Sequence, residues 1–227
     1  MTIESGRLAA AEVRSMFDAI ARVYDPMNRV LTAGLDGRWR RRTAEAVVRG
    51  GDRVLDACCG TGDLALADER AGGTVTGLDF SERMLERARR KSSSVEWVQG
   101  DALALPFPDG SFDAATVGFG IRNVVDLERG LAELRRVLRA GGRLGVLDIT
   151  IPQGVLRPFY SVWFDRLVPL LGKALPGGSA YTYLPASVRR FPSAPELAAL
   201  IRAASFDQVD HRLFAGGIVA LHTGVAA

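Results

Sequence analysis

Residues 54–63 read Val54-Leu55-Asp56-Ala57-Cys58-Cys59-Gly60-Thr61-Gly62-Asp63, an apolar run that ends on an acid and leads into a turn with two glycines. Leu64 to Ala71 then shows helical periodicity, so the segment predicts a strand, a tight turn and a helix. Gly60 and Gly62 lack a Cβ, which lets the backbone turn sharply and a ligand lie against it. Similar units follow. Thr74 to Leu78 is rich in β-branched residues and ends at Asp79, and Ser81 is a good N-cap for a helix from Glu82 to Lys91. Val95 to Val98 predicts a third strand closing on Gly100-Asp101, and Phe112 to Val117 a fourth. Asp126 can cap a helix from Leu127 to Arg139 that Gly141-Gly142 stops, and Leu144 to Ile149 is a fifth strand.

Strands alternating with helices of this length predict an α/β, doubly wound, Rossmann-like sheet. Before it, residues 7–49 are helical: Val13, Met16, Phe17 and Ile20 recur at helical spacing, Pro26 ends the first helix at Tyr24-Asp25, and Trp39 to Val48 forms a second. After Pro152, an aromatic stripe runs from Phe159 to Leu171, and Gly177 to Phe191 carries Tyr181 and Tyr183. Ala194 to Ala204 is helical, and Gln208 to Phe214 with Gly217 to His222 reads as a closing antiparallel strand pair. The expectation is a seven-stranded, mostly parallel sheet in one domain. Residues 1–50 would form a helical cover, 51–150 the cofactor-binding core, 151–192 a substrate-side insertion after strand five, and 193–227 the closing helix and strands.

Composition sets outer bounds. The chain has 227 residues, 48% hydrophobic and 24% charged. Folding at this size buries roughly 70–75% of the unfolded surface, enough for one core without disulfides or metal. Basic residues number 29 against 26 acids, a net +3 that does not argue for nucleic acid. The densest basic run, Arg38-Trp39-Arg40-Arg41-Arg42, reads as a solvated helix face. Adjacent Cys58 and Cys59 suit neither a disulfide nor a zinc site. No signal-like N-terminus is evident, and Arg157, Asp165 and Arg166 interrupt the most apolar window, so a cytoplasmic protein is expected.

The glycine turn also fits the loose dinucleotide pattern, since Gly60-Thr61-Gly62-Asp63-Leu64-Ala65 is G-x-G-x-x-A. A pyrophosphate would sit on the helix N-terminus, where Asp56 and Asp63 would repel it. The two acids suit a ligand with a cationic amine and no phosphate, such as S-adenosylmethionine. Asp79 could accept from both ribose hydroxyls, a feature shared with NAD sites, and Asp101 from an adenine amino group. The three acids Asp56, Asp79 and Asp101 stand at successive strand ends, where ligands of open α/β sheets bind.

Asp56 to Asp63, Gly77 to Asp79, Gly100-Asp101-Ala102 and Leu105 through Asp113 resemble the class I methyltransferases. Met16 to Ala21 with Tyr24-Asp25-Pro26-Met27-Asn28, Trp39-Arg40-Arg41, Phe119-Gly120-Ile121-Arg122-Asn123, Tyr183-Leu184 with Ser187 and Phe191-Pro192, and Gly217 to His222 narrow the resemblance. Together they look like the quinone C-methyltransferases that finish menaquinone and ubiquinone. The resemblance spans about residues 13–224. It implies S-adenosylmethionine as cofactor, with contacts at Thr61, Asp79, Asp101, Ala102 and Gly118, where relatives often carry serine. Asp56, Gly60, Gly62 and Met84 complete the candidate cofactor set. Relatives commonly have Leu-Glu-Phe where this chain has Leu147-Asp148-Ile149.

The implied reaction is methylation of a ring carbon of a polyprenyl hydroquinone, demethylmenaquinol or a methoxy-polyprenyl-benzoquinol, with the arginine-rich composition leaning towards menaquinone. A quinol carbon is a stronger nucleophile once the neighbouring hydroxyl is ionised. Arg122, always charged, is assigned to the oxyanion. Asn123 and Tyr24 could hold a quinol oxygen, and Asp148 is the candidate proton acceptor, with water its rival. A surface ion pair with Asp126 or Glu128 is the plain alternative for Arg122, and His222 is expected to be structural. The Phe159–Leu171 stripe, Tyr181 and Tyr183 would wall the quinol pocket, with transient peripheral contact to the membrane's inner face and a homodimer left open. An NAD-linked oxidoreductase and a non-catalytic cofactor-binding scaffold are the competing functions.

Overall fold

A computed structural model describes residues 10–152 and 178–227. The helices are α1 (Ala10–Ile20), α2 (Tyr24–Leu31), α3 (Asp36–Val47), α4 (Asp63–Arg70), α5 (Glu82–Lys91), α6 (Leu127–Val137), α7 (Gly178–Arg190) and α8 (Ala194–Ala203). The strands are β1 (Arg53–Ala57), β2 (Thr74–Asp79), β3 (Glu96–Gln99), β4 (Phe112–Gly118), β5 (Leu138–Ile149), β6 (Phe206–Phe214) and β7 (Val219–Ala226). They form one seven-stranded sheet in the order β3-β2-β1-β4-β5-β7-β6. All neighbours from β3 to β5 are parallel, and β7 runs antiparallel to both β5 and β6. The chain order reverses between β1 and β4, so a crevice opens at the carboxyl ends of these strands.

Both faces of the sheet are covered. On one, Leu131, Leu134 and Val137 of α6 and Leu197 and Ile201 of α8 bury against Leu55, Ala115, Leu144 and Val146. On the other, Val47, Val48 and Ala65 meet Val54, Val75 and Ala114. Strands buried on both faces explain their near-continuous apolar runs. Two expected caps hold: Ser81 Oγ accepts from Met84 N (3.2 Å), and Asp126 Oδ1 from Arg129 N (3.0 Å).

Two boundaries differ from expectation. Pro26 does not stop the chain from being helical, because it lies in the first turn of α2, where its missing N–H has no intrahelical acceptor. Nor does Gly141-Gly142 stop α6. That helix ends at Val137 and β5 begins at Leu138; Gly141, at φ +73°, falls in the register shift between Phe112↔Leu138 and Ala114↔Arg143. The Phe159–Leu171 stripe lies outside the described residues, as does the side chain of Tyr181.

Candidate functional site

The β1–α4 turn departs from ordinary backbone at three points. Cys58, Gly60 and Gly62 have φ of +55°, +55° and +85°. A Cβ at Gly62 would stand 2.5 Å from Cη2 of Trp97, so only glycine fits there. The turn leaves Asp56, Gly60, Thr61 and Asp63 on the wall of a cleft of about 690 Å³, together with Asp79, Met84, Asp101, Ala102, Gly118, Tyr24 and Asn123. The proposed cofactor residues other than Gly62 therefore surround one space, and Gly62 shapes the turn behind it.

The acids differ in their surroundings. Asp56 is fully buried, and neither of its carboxylate oxygens has a partner among the described residues. Burial and the neighbouring Asp68 carboxylate push its pKa well above the usual range. Such an orphaned acid complements a cationic amine. Asp79 Oδ2 accepts from Gly60 N (2.8 Å) and its Oδ1 from Ser81 N (2.9 Å). Burial raises its pKa to about 6 despite these bonds. Asp101 is exposed, with Oδ1 accepting from Leu103 N (2.9 Å).

Asp63 is different from the sequence expectation. Its charge is met by Lys91 Nζ at 2.6 Å, and Lys91 also reaches Asp25 Oδ2 at 2.7 Å. The repulsion of phosphate expected of Asp63 is therefore offset by Lys91. Thr61 Oγ1 donates to Asp25 Oδ1 at 2.5 Å, and Ser81 Oγ to Asp18 Oδ1 at 2.5 Å, so α1 and α2 are bonded directly to the cofactor loops. Asp18 and Asp25 were missed because their partners lie far away in sequence. Burial and the surrounding carboxylates push the Cys58 and Cys59 thiols well up, which keeps them protonated and unreactive.

A second, apolar chamber of about 290 Å³ adjoins the cleft. Met16, Ile20, Met27, Leu31, Trp39, Ile149, Tyr183, Leu184 and Ile218 line it. Phe17, Tyr24, Arg40, Phe119 and Asn123 belong to both walls. Arg122 opens onto the chamber from a single 3-10 turn (Ile121–Asn123) after β4. Its side chain is 7% exposed, so it is no surface pair with Asp126 or Glu128. Nη1 lies 2.6 Å from Asp148 Oδ1 and 2.5 Å from Phe119 O. Burial works against the charge, but Asp148 together with Tyr24 and Tyr183 outweighs it and holds the guanidinium pKa above its ordinary value.

Asp148 itself, 2% exposed, lines neither cavity. It also accepts from Ile149 N (2.7 Å). Arg122 Nε and Asn123 Oδ1 are buried and have no hydrogen-bond partner among the described residues. His222 lies outside both cavities, with Nε2 at 2.9 Å from Ala194 O and its ring stacked on His211.

The profile of the ubiE/COQ5 methyltransferase family matches residues 5–226. A demethylmenaquinone methyltransferase of Thermus thermophilus is 48% identical over 92% of this chain and 99% of the relative. A ubiquinone/menaquinone biosynthesis C-methyltransferase of a Geobacter species is 40% identical over 93% and 95%. A solved SAM-dependent methyltransferase from Thermotoga maritima shares the fold, with TM-score 0.64 at 23% identity over 93% of this chain and 100% of that one. With its acid-lined cleft and buried Arg122 joined by a match over nearly its whole length, the chain belongs to the ubiE/COQ5 methyltransferase family.

Proposed function

We propose that this chain transfers a methyl group from S-adenosylmethionine to a ring carbon of demethylmenaquinol, completing a menaquinol. The observation that carries the reading is the shared wall: an acid-lined cleft and an apolar chamber meet at Tyr24, Phe119 and Asn123, with the buried Arg122 beside them. A charged cofactor and an apolar ring would meet across that wall. The demethylmenaquinone relatives favour the naphthoquinol over the benzoquinol.

S-adenosylmethionine supplies an electrophilic methyl on a sulfonium. Asp56 would hold the cofactor amine, Asp79 the ribose hydroxyls, and Asp101 with Ala102 the adenine, while Thr61, Met84 and Gly118 complete the wall. Arg122 stabilises the quinol oxyanion, whose charge delocalises onto the attacking carbon. Asn123 and Tyr24 hold the quinol oxygen. With the cofactor bound, the new carbon–carbon bond would form as its carbon–sulfur bond breaks, and the ring proton would leave as aromaticity returns. Because Asp148 is bonded to Arg122 and lines neither cavity, the geometry favours water as the proton acceptor and Asp148 as a positioning residue for Arg122.

Among the described residues, no helix is long and apolar enough to cross a membrane. We infer a cytoplasmic protein in peripheral contact with the bilayer. The corner between α2 and α3 supports this. Leu31, Ala33 and Leu35 line the chamber there, while Val30, 71% exposed, follows exposed Arg29 in α2, and exposed Arg38 stands in the first turn of α3. An apolar tip flanked by cations fits an anionic lipid surface holding the quinol's tail.

The test is labelled methyl transfer to chemically reduced demethylmenaquinol and to the methoxy-polyprenyl-benzoquinol, side by side. Faster transfer to the naphthoquinol is expected. Faster transfer to the benzoquinol overturns the substrate assignment, and no transfer to either overturns the catalytic reading.

A further inference from the structure

We propose that Arg40 binds the carboxylate of the cofactor's methionine end, so that the cleft reads that end as a zwitterion, with Asp56 on the amine and Arg40 on the acid. The inference rests on the cofactor reading above and adds a residue outside the glycine turn and the strand ends.

Arg40 occupies the middle of α3, in a basic run whose other arginines, Arg38, Arg41 and Arg42, are exposed. Arg40 alone is buried, at 7% exposure. A buried guanidinium needs partners for its fork of donors. One turn back, Asp36 takes Nη1, and Asp36 is itself held by Thr32 Oγ1 at 3.0 Å. The guanidinium carbon lies 5.2 Å from the centre of the Phe119 ring. Among the described residues no further side-chain partner engages the fork, and Arg40 lines the cleft. A fork oriented at one end and open at the other is suited to a second carboxylate.

The ligand's chemistry supplies the complement. In an α-amino acid the amine and carboxylate share one carbon, so an amine drawn to Asp56 brings a carboxylate into a cleft walled by Asp56, Asp79 and Asp101. Any negative charge these acids carry repels a carboxylate there, and a cation beside Asp56 offsets it. Among described residues, the arginines on the cleft wall are Arg14 and Arg40. Arg14 is exposed on α1 and open to solvent screening. Arg40 is buried, and its charge is felt at Asp56.

Equilibrium calorimetry without quinol tests this directly, using S-adenosylmethionine and its decarboxylated form, which keeps amine, sulfonium and nucleoside. The wild-type protein is expected to bind the carboxylated form roughly ten- to a hundredfold more tightly, the range of a charge-assisted hydrogen bond. Arg40→Met should bring the two within about threefold by weakening only the carboxylated form, with Arg40→Lys in between. The ratio of the two affinities is the readout, so partial loss of folded protein does not imitate the result.

Equal weakening of both ligands by Arg40→Met would show a structural role and overturn the proposal. So would unchanged binding of both with a raised KM for the quinol, which would place Arg40 in the chamber's service. If Arg40→Met does not fold, a wild-type protein that shows no preference for the carboxylated form still overturns it. Failure of the wild type to bind either ligand would instead strike the cofactor reading itself.

Discussion

The cleft and the chamber share a wall but are built by different means. The cleft takes its polar groups from the carboxyl ends of neighbouring strands. Asp56 pairs in register with Gly77 of β2 and Thr116 of β4, and Asp79 with Gln99 of β3. The sheet's hydrogen bonds therefore fix where each acid stands. The chamber takes its walls from α1, α2, α3, the turn after β4, α7 and the β6–β7 turn, which are separate in sequence and held by side-chain packing. Charge is distributed accordingly. The cleft holds buried acids whose pKa values are raised, while the chamber is apolar except for a few polar groups, including Arg122 and Arg40. A cofactor site of this kind is rigid and readable. A substrate site assembled from helices and turns sets specificity, and its composition is hard to foresee.

The sharpest way to break this division is Arg122→Ala. If Arg122 serves the chamber, turnover should fall roughly a hundredfold, the scale of losing one oxyanion donor, while cofactor affinity stays within about threefold. Steady-state kinetics and calorimetry measure the two separately. An equal loss in both would mean that the cleft and chamber are not functionally distinct. Removing Arg122 also strands buried Asp148, so Arg122→Lys is the control for folding.

Asp79→Asn probes the other side. The substitution replaces one accepting oxygen with a donating amide facing Gly60 N or Ser81 N. Cofactor affinity should weaken about tenfold or more, with the quinol KM nearly unmoved. The pH dependence has a definite sign. With a pKa raised to about 6, wild-type Asp79 is ionised above that value and accepts most strongly there. Cofactor affinity should therefore drop as pH falls through about 6, and Asp79→Asn should remove that component. A wild-type affinity that is flat across this range would count against Asp79 as a ribose acceptor.

Asp68 gives the comparison an energetic form. It lies in α4, fully buried, with Oδ2 accepting from Thr116 Oγ1 at 2.6 Å and no partner for Oδ1 among the described residues. Burial raises its pKa to about 7. An unfolded aspartate titrates near about 3.9, so between the two values the folded protein holds a proton that the unfolded chain has released. This contribution to stability is present at low pH, is lost as pH rises towards about 7, and is level above. Asp68→Asn should flatten that slope and raise the cofactor-free thermal midpoint at pH 8, by about 2–4 °C for each kcal/mol gained. A lowered midpoint would show that the ionised acid is held by interactions stronger than its desolvation.

The same contrast explains what could be read from residues alone. Asp56, Asp79 and Asp101 announced the cleft because each stands at the end of a short strand whose own few residues fix where that end lies. The first helix was carried too far, to Tyr24-Asp25, when α1 ends at Ile20 and Pro26 lies in the first turn of α2, because a proline that stops one helix can equally open the next, and only packing of Met27 into the chamber shows which. Gly141-Gly142 resembled a helix stop because a glycine at positive φ serves a bulge as well as a cap. Arg40 was illegible for a deeper reason. Nothing in Arg38-Trp39-Arg40-Arg41-Arg42 distinguishes Arg40 from the other arginines until Phe119, from the end of β4, lies under it. Asp148 could be located on β5, but whether it faced solvent, substrate or Arg122 depended on a turn 26 residues earlier.

The smallest expected effect concerns the chamber's outer edge, where the difference from the cleft should be greatest. Val30 and Arg38 lie on neither cavity wall. Replacing both by glutamate removes one exposed apolar contact and reverses one charge at the α2–α3 corner. Partition onto vesicles containing anionic lipid should fall about five- to tenfold, given roughly 1 kcal/mol for each basic residue near such a surface. Turnover of a tail-less naphthoquinol in detergent-free buffer should be unchanged, while the long-tailed quinol in vesicles loses efficiency. Cofactor affinity should not move, because the acids of the cleft are fixed by the sheet and not by this corner. If partition is unaffected, the corner is ordinary surface and the bilayer meets the protein elsewhere. If turnover of the tail-less quinol falls as well, α2 and α3 transmit the change inward, and the chamber is less independent of its rim than its separate walls imply.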